Sequence, residues 1–98
     1  MDVTSIATSG LRAADLQLAT AAQNIANADT PDYQQQNVTQ TADASGGGVQ
    51  SNVTSGNGDV DVAQQLVNTD IATYDFKANL TVLKKQQETQ QSLLDIMA

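Results

Sequence analysis

Two stretches of this sequence repeat apolar residues in alternating steps of four and three. Near the start the rhythm runs through Ala7, Leu11, Ala14, Leu18, Ala21, Ile25 and Ala28. Near the end it takes in Val62, Leu66, Phe76, Leu80, Leu83, Leu94 and Met97. Such steps place side chains on one seam of a helix, and a seam of this kind must be buried against something. Between the two lies a polar stretch rich in glycine and threonine. The pattern restricts the chain to two long terminal helices, paired with each other, with other chains, or both.

The core that such helices can build alone is thin. Leu, Ile, Val and Phe number 8, 4, 8 and 1 in 98 residues, at the edge of the composition from which disorder is expected. A monomer should be marginally stable, with partners supplying the missing burial. The net charge is −7, against which stand only Arg12, Lys77, Lys84 and Lys85. That balance argues against phosphate-driven nucleic-acid binding and against anionic membrane surfaces. With no Cys and no His, thiolate chemistry, disulfides and the commonest general base are excluded. The N-terminus has neither the basic nor the continuous apolar region of a cleavable signal, and no apolar run reaches the length of a membrane span.

Three segments follow. Residues 1–31 read as the first helix and its stop, with Thr4 or Asp2 as cap and Thr30-Pro31 ending it. Gly10 should weaken it by roughly 1 kcal/mol relative to Ala. Residues 32–59 read as a flexible polar loop, favoured over a short hairpin, with Val38, Val49 and Val53 as its apolar residues and Asn57-Gly58 as a turn signal. Residues 60–98 read as the second helix, opened by a capping box of Asp61 and Gln64. Thr69, Thr73, Gln87 and Gln90 interrupt its seam and suit a role in fixing register. Helices of about 25 and 38 residues span roughly 38 and 57 Å. Paired antiparallel from the loop end, the first runs out near residue 86. Leu93, Leu94, Ile96 and Met97 then project uncovered, as an interaction surface would.

Sites for chemistry are not expected: the reading assigns no catalytic, cofactor-binding or metal residues and makes the chain no enzyme. Asp59 and Asp61 are explained by capping and the helix dipole. Ser9, Asp15 and Lys77 lack any nucleophilic pattern. The sequons at Asn37, Asn52 and Asn79 are expected by chance in a chain so rich in Asn and Thr. The segment AQNIANADTPDYQ, Ala22 to Gln34, is odder. Its asparagines can bond free carbonyls at a helix end or accept left-handed backbone, and Tyr33 could fold back over Ile25.

That segment resembles the signature of the flagellar rod and hook axial proteins, most nearly the short proximal rod proteins. Asn24, Ile25, Ala26, Asn27, Asp29, Thr30, Pro31 and Tyr33 fit it; Asp32 stands where the family usually has Gly, which favours a type I turn over type II. A second block resembles the family's C-terminal helix through Val60, Asp61, Val62, Ala63, Leu66, Val67, Asn68, Ile71, Ala72, Ala78, Asn79 and Val82. There Tyr74 replaces the usual Arg and Phe76 the usual Tyr.

The resemblance implies an axial core domain of paired N- and C-terminal helices, a vestigial outer domain in the middle, and ordering on assembly. It implies a structural subunit of the flagellar basal body, exported by the type III apparatus without signal cleavage, and partnered by itself and other axial proteins. The competing reading is a soluble helical module that regulates or escorts axial proteins without entering the rod. The expected fold is all-α: a long antiparallel helical hairpin, coiled-coil-like, with a flexible loop. Leu11, Leu18 and Ile25 should pack on Leu66, Phe76, Leu80 and Leu83, while Leu93, Leu94, Ile96 and Met97 reach a neighbouring subunit.

Overall fold

A computed structural model describes residues 3–44 and 46–97. Helix α1 (Val3–Ala26) is followed by strands β1 (Asn37–Ala42) and β2 (Val49–Thr54) and by helix α2 (Val62–Met97). The helices pack against each other over most of α1, in a molecule 63 Å long and 14 Å across its thinnest direction. Asp2, one of the two candidate caps, lies outside the described residues. The other, Thr4, is already helical and its carbonyl accepts a hydrogen bond from Thr8 Oγ1.

Two crossings fix the antiparallel register. Asn24 Nδ2 donates to Gln65 Oε1 at one end, and Gly10 faces Asn79 further along. Seven more residues on each helix bring Val3, where α1 begins, opposite Gln86. Beyond Gln86 every described residue of α2 is exposed, so the last three turns extend beyond α1 by about 16 Å. This is where counting residues had placed the end of the pairing.

The contact itself is made by smaller side chains than the leucine rhythm suggests. On α1 the buried residues are Ala7, Ala13, Ala14, Thr20, Ala21 and Asn24; on α2 they are Gln65 and Ala72. The stripe is rotated from the leucines toward alanines and Gly10, which let the backbones approach closely. A Cβ on Gly10 would stand 2.6 Å from Asn79 Oδ1, so the glycine that weakens the helix also makes the crossing possible. Leu11, Ile25 and Leu83 flank the stripe half-buried, while Leu18, Phe76 and Leu80 are each about 40% exposed and Leu66 54%. Leu18 and Phe76 do share one groove, floored by Ala14 and Ala72.

The middle segment corrects the all-α expectation. Residues 37–42 and 49–54 pair as an antiparallel hairpin, from Asn37↔Thr54 to Ala42↔Val49, so the chain is mostly helical but carries a two-stranded sheet. Its strands are exposed and own almost no core; an isolated hairpin of this kind would be marginal. It is held instead by α1: Ser9 Oγ accepts from Val49 N at 3.1 Å, and Gln40 Nε2 donates to the Ala13 carbonyl at 3.2 Å. Gly46 and Gly48 reverse the chain with positive φ, and Gly48 sits where any side chain would meet Ser9.

Candidate functional site

Among the described residues, the largest fully buried side chains are two neutral amides, Asn24 and Gln65. Burying an amide is unfavourable unless its hydrogen bonds are replaced, and for Asn24 all four are. Its Nδ2 donates to the Gln36 carbonyl (2.8 Å) and to Gln65 Oε1 (2.9 Å). Its Oδ1 accepts from Gln36 N (3.0 Å) and from the Tyr33 hydroxyl (3.2 Å). One side chain thus joins the end of α1, the approach to β1 and the first turns of α2. Tyr33 reaches Asn24 through its hydroxyl, where the sequence had suggested a ring lying over Ile25.

The rest of the segment is a chain of local bonds. Asn27 Nδ2 donates to the Gln23 carbonyl, and Thr30 Oγ1 donates to Asn27 Oδ1. Tyr33 N donates to the Thr30 carbonyl, closing a turn around Pro31-Asp32. Asp32 adopts φ +63°, a left-handed backbone at the third turn position. That is the signature of a type II turn, so the expectation of type I is overturned. The bonds on both sides hold Asp32 in the conformation that glycine adopts freely. Ile25 is half-buried and Ala26 closes α1, while Asp29 and Pro31 are exposed.

A second amide, Gln35, was not singled out by sequence. Its Oε1 accepts from Asp61 N at 2.9 Å and its Nε2 donates to Asn37 Oδ1. Its backbone N–H donates to the Gly58 carbonyl. Asp61 caps α2 as its sequence implied, with Oδ1 accepting from Gln64 N at 3.1 Å. The reciprocal half of the expected box falls to Gln35 instead of Gln64. The run Gln34–Gln36 carried the signal for this, but its composition reads as loop.

The geometry is that of a structural joint: neutral amides and hydroxyls bonded to one another and to the backbone. Residues 5–34, which hold α1 and this turn, match the model of a family described as flagella basal body rod protein. Over this segment the chain is similar to flagellar basal-body rod proteins. The matched rod segment ends one residue past Tyr33 and covers under a third of the chain, leaving the hairpin and α2 outside it. A comparison with curated proteins finds no match. The other residues singled out by the sequence are spread along the chain. Leu11, Leu18, Ile25, Leu66, Phe76, Leu80 and Leu83 flank the helix contact, and Leu93, Leu94, Ile96 and Met97 lie on the uncovered end, the last two 79% and 82% exposed. Tyr74, in the position of the usual Arg, is also exposed.

Proposed function

We propose that the chain is a structural subunit of the flagellar rod, assembling through its terminal helices with itself and with other axial proteins. The observation that supports this most is the uncovered end of α2. A rod-family segment in α1 stops short of it, and Leu93, Leu94, Ile96 and Met97 stand exposed together. An isolated soluble domain gains nothing from such an end, whereas a polymerising subunit buries it against a neighbour. The large residues flanking the α1–α2 contact are half-covered in the same way. In this reading the subunit passes through the type III export apparatus without signal cleavage, and its core tightens on assembly.

Deleting the gene tests the reading. A structural subunit predicts loss of rod assembly, restored by the full-length chain. Normal basal bodies with altered expression of axial genes would instead establish the regulatory or escort role.

A further inference from the structure

A cleft of about 250 Å³ lies between β1 and α2, walled among others by Thr20, Gln36, Val38, Gln64, Gln65 and Asn68, and no charged side chain lines it. Two of its walls are short of hydrogen-bond partners. The first is the outer edge of β1. Asp43 N donates to the Gly48 carbonyl at 2.8 Å, one step beyond the Ala42↔Val49 pair. Antiparallel alternation therefore turns the backbone of Asn37, Thr39 and Thr41 toward β2, and that of Gln36, Val38 and Gln40 outward. The outward bond from Val49 N to Ser9 Oγ agrees with this phase.

At Gln36 the outward edge is already occupied. The Asn24 amide takes both its N–H and its C=O, as the peptide group of an added strand would. Val38 is the next outward residue, lines the cleft, and has no strand on its outward side among the described residues.

The second wall is Gln65, 2% exposed, whose Nε2 is buried without a hydrogen-bond partner. Its orientation is forced. Gln36 N can only donate, so Asn24 must present Oδ1 to it and Nδ2 to Gln65, which must answer with Oε1. The Gln65 N–H groups are left on the other side, and an unsatisfied buried donor is unfavourable.

We propose that this cleft binds an extended, uncharged peptide segment that adds to β1 where the Asn24 amide leaves off. One peptide unit of the ligand pairs with the N–H and C=O of Val38, and a neighbouring carbonyl accepts from Gln65 Nε2, which is covered in the free chain and must be uncovered as the ligand enters. Addition to a sheet edge is an established mode of peptide capture. The uncharged lining selects against acidic or basic residues, which would be desolvated without a counter-charge. The proposal rests on the cleft and can fail while the rod reading stands.

The test is a nuclear magnetic resonance titration of the full chain with a blocked tetrapeptide of glutamine, serine, asparagine and valine, the residue types of β2. Saturable shifts of the Val38 amide and the Gln65 side-chain amide are expected. A version of the peptide methylated on its backbone nitrogens should bind at least tenfold more weakly. Gln65→Glu, which keeps the acceptor for Asn24 and removes the free donor, should weaken binding by a similar factor in whatever fraction stays folded, since it also buries a carboxylate. If Gln65→Glu unfolds the chain, the methylated peptide still decides. No shift at either group up to about 10 mM peptide, an affinity too weak to matter, would overturn the proposal. So would equal binding of the methylated peptide, or a Gln65 amide held throughout by an internal water.

Discussion

At Asn24 a neutral amide is buried at little cost because each of its four hydrogen-bonding positions is filled. Asn24→Ala removes all four bonds and strands the N–H and C=O of Gln36. The chain should lose about 3 kcal/mol or more, enough to unfold a marginal monomer, as read by denaturant titration. Asn24→Asp keeps the shape but loses both donors and buries a charge, so it should be no better tolerated. Asp32 argues in the opposite direction. It holds a left-handed backbone that glycine adopts without strain. Asp32→Gly should therefore raise stability by roughly 0.5–1 kcal/mol, visible as a higher melting temperature. The sequence located this turn through Thr30, Pro31 and Tyr33, but it carried no sign that the turn could keep its type II form around an aspartate. The bonds of Asn27, Thr30 and Tyr33 that hold it there are products of the folded segment.

Among the elements, both helices and their antiparallel register were legible, because period, caps and relative length all bear on them. Which residues of the seam pack closest was not. Leucines at Leu11 and Leu18 mark the helix, but close approach is decided by the smallest residues: Ala7, Ala14 and Ala21 of the same seam, with Gly10 and Ala13 a step away. Gly10→Ala separates the two effects. Its Cβ would displace the Asn79 side chain, which donates to the Asp75 carbonyl, so we expect a loss of about 1 kcal/mol despite the better helix propensity. In an Asn79→Ala background the same change should stabilise by roughly 0.5–1 kcal/mol, and a double-mutant cycle by thermal melting reads the difference. Phe76, at 41% exposure, should weaken the monomer by only about 1–2 kcal/mol when cut to Ala, below the cost of a fully buried ring. The hairpin was illegible for a related reason. Three valines in a polar tract do not announce strands; the partners that order them, Ser9, Ala13 and Asn24, are distant in sequence.

For the whole molecule, the decisive feature is the mismatch in length between α1 and α2. The three turns that α1 cannot reach carry Leu93, Leu94, Ile96 and Met97, and burying each is worth roughly 1.5–3 kcal/mol. A chain trimmed after Gln91 should keep its helical hairpin by circular dichroism, yet sediment as a smaller species and fail to restore motility. Unchanged oligomer size and motility would remove the α2 end from assembly. The most direct measurement is cryo-electron microscopy of intact basal bodies from cells making this chain. The account predicts rod density that fits the α1–hairpin–α2 unit, with the α2 end seated against a neighbouring subunit. A rod whose density is fully explained by other chains would contradict it.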